Sequence, residues 1–342
     1  MDVIKSHVRR IMDPSSAHTA TTEELHEAKV QYCARMMRKN IEYLDTCVYV
    51  VGSTKLSEDR SAQIACSLGV ALAQVKNLTL VTSGRKGAQD LVAKSFLLAL
   101  ESSEEISGLD PDKKRAAISS RIVHVLPLKD EKDVSDCCSQ NEDGHFEPMS
   151  YGKTLFLGES NQEREAVLAR LMDTCILIEG DATTAREVED FIWNDHFVIP
   201  IISTGGAAGG REDVSFKVFE RPNAVDEKVW QILSNRAALP AEVAKAIVRI
   251  VMDIKQHIAE LRLSQQAKVE KTLKQFKTRL RRSSKKKPID KLDVAMAKEV
   301  GEDAETASPE KILPIVDGVD RREEKGSPSK WKSLQKMFTK NC

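Results

Sequence analysis

The residues best suited to chemistry follow a short apolar run near the middle of the chain. The run CILI (175–178) leads into the polar turn EGDATT (179–184), and Glu187 follows among helix-forming residues. This pattern predicts a buried strand, a tight turn and the start of a helix. The N–H groups at a helix start, aided by the helix dipole, can hold an anion. The turn is therefore a candidate anion-binding or catalytic site, or a plain connection between two elements.

Each polar residue of this turn has a ligand-binding interpretation and a structural one. Gly180 permits backbone conformations that are barred to other residues. Thr183 and Thr184 supply hydroxyl donors for a phosphate, and helix capping explains them equally well. Asp181 is either an acid at the helix N-terminus or a ligand contact.

Two charged residues at helix starts complete the candidate site. Arg164 opens the helix that precedes the apolar run, and an arginine there can form a forked contact with a phosphate or a carboxylate. Glu187 lies about one helical turn beyond the polar turn, at the expected ligand edge. Glu189 faces elsewhere, because residues i and i+2 do not share a helix face. An ordinary ion pair is the plain alternative for Arg164 and Glu187.

Apolar segments that alternate with helical segments predict the elements around this site. Strands and helices of this length specify an α/β fold, namely a Rossmann-like, doubly wound parallel sheet. Ligands of such sheets bind beyond the carboxyl ends of the strands. Strands are predicted at 46–53, 78–84, 121–128, 153–160, 175–178 and 197–203, and helices at 22–43, 57–75, 88–102, 162–173 and from 184. The further ligand-binding candidates at strand ends are Gly52, Ser53, Gly84, Arg85, Gly87, Thr204, Gly205 and Gly206.

The spacing of these residues resembles the LOG family of cytokinin-activating phosphoribohydrolases, formerly called lysine decarboxylase-like, and the wider SLOG superfamily. ERE (163–165), ILI (176–178) and EGDATTARE (179–187) fit the family pattern without a gap, in which PGGxGTxxE follows the strand. VVGS (50–53) and VTSGRKGAQDLVA (81–93) resemble the first-strand turn and the second glycine loop. The resemblance covers about residues 46–235. In this chain Glu179 replaces the motif's proline, and Asp181 and Thr183 replace two of its glycines.

The resemblance implies a ligand class and two alternative functions. IPIISTGGAAGG (199–210) is similar to the strand end of a SLOG branch proposed to sense nucleotides, whose members recognise ADP-ribose-like or related nucleotides. Binding of a nucleotide or nucleotide sugar by a sensing or regulatory module is the first hypothesis, and the altered glycines favour it. The alternative is a phosphoribohydrolase that cleaves the N-glycosidic bond of a nucleoside 5′-monophosphate, with Arg164 and Glu187 catalytic. The resemblance also implies a homodimer. Neither a cofactor nor a metal is expected.

Composition and the C-terminal part point to location and partners. Lys+Arg and Asp+Glu both number 52, so only local charge can predict an acidic partner. The seven cysteines show no repeated CxxC spacing, which favours reduced thiols in the cytoplasm over disulfides or zinc.

The basic segments 268–287 and 329–340 are expected either to be solvated or to bind calmodulin or an anionic membrane surface; nucleic acid is disfavoured because aromatic residues are scarce. The expected organisation is a flexible leader (1–20), the α/β domain (21–239) with a polar, mobile insertion at about 129–153, a long amphipathic to basic helix (240–287) and a mostly disordered tail (288–342).

Overall fold

The computed structural model of this chain describes residues 21–129 and 138–283, with side chains up to residue 277. The predicted leader (1–20), the predicted tail (288–342) and the basic segment 329–340 lie outside the described residues, as do residues 130–137 of the insertion and the end of the segment 268–287. The chain divides into two compact units, Met1–Val251 and Met252–Cys342. The candidate site lies entirely in the first unit.

Six parallel strands form one sheet in the first unit. They are β1 (Cys47–Gly52), β2 (Thr79–Thr82), β3 (Ile122–Leu126), β4 (Lys153–Phe156), β5 (Thr174–Ile178) and β6 (Phe197–Pro200). Their spatial order is β4-β3-β2-β1-β5-β6. Every residue of β1 and β5 is buried, because helices cover both faces of the sheet and apolar β-branched side chains fill both sides.

The helices lie on both faces because the strand order changes direction at β1. The helices are α1 (Thr22–Asn40), α2 (Asp59–Ala73), α3 (Ala88–Glu101), α4 (Glu104–Ser107), α5 (Pro111–Arg121), α6 (Asn161–Leu171), α7 (Ala182–Trp193), α8 (Glu227–Gln231) and α9 (Pro240–Ser283). Helix α2 packs against α3, whereas α6 packs against α1 and α7. Strands β1 to β4 run outward in one direction, and β5 and β6 lie on the other side of β1. The predicted doubly wound α/β fold is confirmed.

Local capping explains where several helices begin. Thr21 and Glu24 form a capping box: the Glu24 amide donates to Thr21 Oγ1 at 3.2 Å, and the Thr21 amide donates to Glu24 Oε2 at 2.8 Å. Helix α1 ends at Asn40 rather than at the predicted residue 43. Helix α5 is absent from the sequence prediction, although Asp110 caps it and Pro111 occupies its first turn. Arg121, predicted to begin a strand, is the last residue of that helix.

The described part of the insertion is attached to the sheet domain. Lys129 pairs with His145 and Gln140 pairs with Phe146 in isolated antiparallel bridges, and Phe146 is buried. The apolar Phe146 side chain therefore anchors a segment whose composition alone suggested a solvated loop. His145, in the same segment, is exposed.

The described part of the second unit is the continuation of α9, residues 252–283. Several large apolar side chains of this stretch are exposed, namely Leu261, Leu263, Val269 and Phe276. Within residues 21–129 and 138–283, no helix combines the length and the apolarity needed to cross a membrane.

Candidate functional site

The site lies where β1 and β5 run side by side and end, which is the point at which the strand order changes direction. Gly52 of β1 is in register with Ile178 of β5, and the Ser53 amide donates to the Ile178 carbonyl oxygen at 3.2 Å. A Cβ atom on Gly52 would lie 2.2 Å from that same oxygen, so only glycine allows this approach. The crevice at such a reversal is where doubly wound sheets bind ligands. The sequence-predicted residues Gly52 and Ser53 lie at this crevice.

Glu179 and Gly180 form the turn after β5. Both have positive φ angles, +51° for Glu179 and +103° for Gly180. The Gly180 amide donates to Ser53 Oγ at 2.9 Å. The Glu179 carboxylate is buried and accepts hydrogen bonds from the Ser57 amide, at 3.0 Å from Oε2, and from the Ser57 hydroxyl, at 3.1 Å from Oε1. This glutamate therefore binds the loop that leads from β1 into α2.

Asp181 is the N-cap residue of α7. Its Oδ1 accepts hydrogen bonds from the Thr184 amide at 2.9 Å and from the Thr184 hydroxyl at 3.1 Å. Partial burial would raise the pKa of Asp181, but the hydrogen bonds from Thr184 outweigh it and hold this pKa below its usual value. Asp181 is thus ionised at neutral pH. It binds the amide and hydroxyl of Thr184, which the sequence suggested as phosphate donors. Thr183, the other predicted hydroxyl donor, is exposed.

The glycine loop after β6 packs directly on this turn. Thr204 Oγ1 accepts from the Glu179 amide at 2.9 Å, and the Ala207 amide donates to the Gly180 carbonyl oxygen at 2.9 Å. A Cβ atom on Gly206 would lie 2.6 Å from the Gly180 carbonyl oxygen. Gly205, by contrast, has no described heavy atom within 4 Å of the position of such a Cβ atom. Gly206 is therefore a packing residue, and Gly205 faces open space.

The loop after β2 brings the third group of predicted residues to the same edge. Gly87, with φ at +75°, would place a Cβ atom 2.2 Å from the Ser53 carbonyl oxygen, so the two loops are in close contact. Gly84 also has a positive φ and lies against Leu126. Arg85 is half-buried, and its charge lowers the pKa of Glu187. The loops after β1, β2, β5 and β6 thus converge, as the sequence predicted for this edge.

Arg164, at the start of α6, is a fully buried cation. Only 1% of the residue is exposed, and one of its terminal nitrogens, Nη2, donates to Glu165 Oε1 at 2.8 Å. Its Nε is buried and has no hydrogen-bond partner among the described residues. A buried guanidinium group that leaves one donor unsatisfied is costly, and such a group is a candidate for a ligand or a bound water. Arg164, a site residue predicted from the sequence, lies close enough to Glu187 for its charge to lower the pKa of that carboxyl group.

Glu187 is buried on α7 and has an altered acidity. Burial raises its pKa to about 7, and the nearby charge of Glu165 adds to the rise, whereas Arg164, Tyr49 and Arg85 oppose it. Tyr49 Oη donates to Glu187 Oε1 at 2.5 Å. The carboxyl group therefore exchanges its proton near neutral pH, which is a property of acid–base groups and of pH-dependent ligand contacts.

Tyr49 is the site residue that the sequence analysis missed. It lies in β1, is fully buried, and stacks on Phe191 of α7 with ring centroids 5.8 Å apart. Burial, together with the charge of Glu187, raises the pKa of its hydroxyl well above the ordinary value. The signal in the sequence is a lone hydroxyl-bearing side chain within the apolar run CVYVV (47–51), since a buried tyrosine needs a partner for its hydroxyl.

The donor set of this edge is cationic and hydroxylic. Among the described residues, no group of three or more His, Cys, Asp or Glu side chains is placed to hold a metal ion. At this edge lie the guanidinium groups of Arg164 and Arg85, the carboxyl group of Glu187 and the hydroxyl of Ser53. Such a set suits phosphate oxygens and sugar hydroxyls.

Comparisons with solved structures give partial matches, among them two of low similarity. No protein-family model and no curated protein matches the chain. TM1055, a Northeast Structural Genomics Consortium target solved by X-ray diffraction, is 24% identical over 52% of this chain and 86% of its own, with a TM-score of 0.35. The molybdenum cofactor binding protein from the phototrophic bacterium Rippkaea orientalis is 18% identical over 44% of this chain and 73% of its own, with a TM-score of 0.30. The α/β fold of this chain is established by its own strand order.

Proposed function

We propose that this protein binds a nucleotide or a nucleotide sugar at the carboxyl edge of its sheet, as a sensing or regulatory module. The observation that carries the proposal is the burial of Arg164 and Glu187 within electrostatic reach of each other, beside the point where the strand order reverses. Arg164 retains an unsatisfied Nε–H, and the Glu187 carboxyl group titrates near neutral pH. Such a pair can interact with a phosphate oxygen and with ribose hydroxyls.

The phosphate contact is assigned to arginine rather than to the start of α7. The sequence suggested that donors at Thr184 bind the phosphate. The Thr184 amide and hydroxyl instead donate to Asp181. Arg85 is half-buried at the same edge and supplies a second guanidinium group. Guanidinium groups bind phosphate in a forked geometry and stay charged at any physiological pH.

Hydrolysis of a nucleoside 5′-monophosphate is the second candidate, and the pKa of Glu187 is the observation that favours it. A carboxyl group with a pKa of about 7 is suited to general acid–base catalysis, which contributes on the order of 10²–10⁴-fold to a rate. The same reaction needs the 5′-phosphate to be held in a fixed position. Because the Thr184 donors are bound to Asp181, that task falls to the arginine side chains without help from the start of α7, so binding is ranked above hydrolysis.

A ligand panel tests the two candidates in one experiment. The full chain is incubated separately with adenosine, AMP, other nucleoside monophosphates, cytokinin nucleotides and ADP-ribose. The thermal shift of the protein and the release of free base are both measured. A thermal shift without base release supports the binding function. Base release that Glu187→Gln abolishes and Glu189→Gln preserves would establish the hydrolase instead, because Glu189 lies on the same helix outside the Tyr49 contact. No shift and no release with any compound would reject both functions.

A further inference from the structure

Two acidic side chains flank Gly180, and each binds donors at one of the two loops beside the strand-order reversal. We infer that Glu179 and Asp181 act as built-in anions that exclude a terminal phosphate from this turn, so that the ligand presents hydroxyl or uncharged groups there. The inference rests on the proposed function and narrows its ligand class. It makes nucleoside monophosphates poor ligands, and it favours nucleotide sugars whose phosphates lie toward Arg164 and Arg85, away from the turn.

The first step concerns α7. In a doubly wound sheet the helix that follows the strand beside the reversal directs its unpaired N–H groups at the crevice, and this is the ordinary place for a phosphate. Here Asp181 Oδ1 accepts from both the amide and the hydroxyl of Thr184, at 2.9 and 3.1 Å. The pKa of Asp181 lies below its usual value because these bonds outweigh the effect of burial. A negative charge of the chain itself thus occupies the anion position.

The second step concerns the loop before α2, the other helix at the reversal. The Ser57 amide and hydroxyl lie two residues ahead of the first residue of α2, Asp59. Both donate to the carboxylate of Glu179, which is only 3% exposed. A buried carboxylate with two donors from one residue is held in place, and it would repel a second anion that approached the same loop.

The third step is that neighbouring amides of the turn also have acceptors within the chain. The Gly180 amide donates to Ser53 Oγ, and the Glu179 amide donates to Thr204 Oγ1, both at 2.9 Å. A phosphate would have to break these bonds and overcome two adjacent negative charges. Phosphate binding at backbone amides depends on preformed donors that are free to bind the anion. At this turn the amide donors already bind acceptors of the chain, and the two adjacent carboxylates repel a phosphate.

Asp181→Asn separates charge from folding and is the decisive variant. Asparagine caps helices about as well as aspartate, so the Thr184 bond can persist while the negative charge is removed. Asp181→Gly removes the side chain and exposes the donors, and glycine is itself an acceptable N-cap residue. Asp190→Asn is the matched control, since it removes one negative charge from an exposed position on the same helix.

The readout is calorimetric affinity of the full chain for adenosine, AMP, ADP-ribose and inorganic phosphate near neutral pH. Wild type is expected to bind AMP no more tightly than adenosine. Asp181→Asn is expected to gain about tenfold in AMP affinity, the ratio that corresponds to about 1.4 kcal/mol, and Asp181→Gly is expected to gain at least as much. Adenosine affinity should change less than about twofold in both variants, and Asp190→Asn should resemble wild type.

The outcomes distinguish failure of this inference from failure of the proposed function. Wild type binding AMP much more tightly than adenosine, or both Asp181 variants gaining nothing for AMP and inorganic phosphate, would overturn the inference while leaving nucleotide binding in place. Wild type binding none of the probes would reject the proposed function. In that case, a gain in inorganic phosphate affinity by Asp181→Gly would still support the inference that Asp181 excludes phosphate from the turn. No gain would reject this inference together with the proposed function. Circular dichroism of each variant verifies that the chain is folded.

Discussion

At the scale of single residues, folding weakens the acidity of the Glu187 side chain within the site. Its pKa of about 7 comes from burial and from the charge of Glu165, and the opposing effects of Arg164 and Tyr49 do not cancel these. The folded state therefore binds a proton more tightly than the unfolded chain does. Stability contributed by this group is present below the ordinary carboxyl range and falls as pH rises from about 4.5 to about 7.

Glu187→Gln should therefore stabilise the protein at high pH and not at low pH. Glutamine is neutral throughout, whereas Glu187 is protonated in both the folded and the unfolded chain near pH 4 and ionised near pH 8. We expect Tm to rise relative to wild type by at least about 2–4 °C near pH 8, the shift that ~1 kcal/mol produces in a domain of about this size, and to change little near pH 4. Differential scanning calorimetry at both pH values measures this.

Glu189→Gln is the control for that measurement, because it removes a carboxylate from the same helix away from Tyr49. Its Tm difference from wild type should be similar at the two pH values. An equal Tm change for Glu187→Gln at both pH values would contradict a raised pKa.

At the scale of elements, the site consists of four loops that hold one another in place. The turn of Glu179 and Gly180 receives Ser53 from the loop after β1 and Thr204 from the loop after β6. Close packing at glycine positions is what allows these contacts, since backbones without a Cβ atom can approach within hydrogen-bonding distance. The glycines after β6 differ in this respect, because Gly206 touches the turn and Gly205 does not.

Gly206→Ala should be more damaging than Gly205→Ala. Both residues have positive φ, +58° and +78°, so alanine is strained at either position. Only at Gly206 would the new methyl group also lie 2.6 Å from the Gly180 carbonyl oxygen and displace the loop from the turn. We expect Gly206→Ala to lower the free energy of unfolding by about 1–3 kcal/mol more than Gly205→Ala does, measured by urea denaturation. Equal losses would show that backbone strain alone matters here.

At the scale of the whole molecule, two buried titratable groups make the free energy of unfolding depend on pH in opposite directions. They are His124 in β3 and Glu187 on α7. His124 in β3 is 1% exposed, and its Nδ1 lies 2.7 Å from Thr82 Oγ1. Burial lowers the pKa of His124 to about 4, against the opposing charge of Asp90. The unfolded chain then binds the extra proton between about pH 6.5 and about pH 4, so stability from this group is lost as pH falls through that range. Glu187 acts in the opposite direction over nearly the same range.

Removing either group should reveal the pH dependence of the other. Glu187→Gln is expected to lose stability as pH falls from about 6.5 to about 4, and His124→Asn is expected to lose stability as pH rises from about 4.5 to about 7. Each slope is bounded by about 1.4 kcal/mol per pH unit for a single proton. Urea denaturation across this range measures the slopes, and the double variant should show the flattest profile. His145→Asn, at an exposed histidine, should keep the wild-type profile; two parallel single-variant profiles would contradict the assignment.

Much of the fold follows from local sequence patterns. The runs that became β1 and β5 are apolar and β-branched, and burial on both faces is the state that such residues favour. Thr21 and Glu24 specify the first turn of α1 through neighbouring side chains alone. Helix α5 could have been found in the same way, from Asp110 followed by a proline. Local signals of this kind act over three or four residues and need no tertiary context.

The sequence by itself determined the strand–turn–helix units, their alternation, and therefore the edge at which Arg164 and Glu187 lie. Only the tertiary structure decided what the polar side chains at that edge bind. Tyr49 meets Glu187 across 138 positions of the chain, and Ser57 meets Glu179 across 122. Such contacts depend on strand order and on how each helix is rotated against the sheet. Local propensity does not encode these, because they are set by the packing of the whole core.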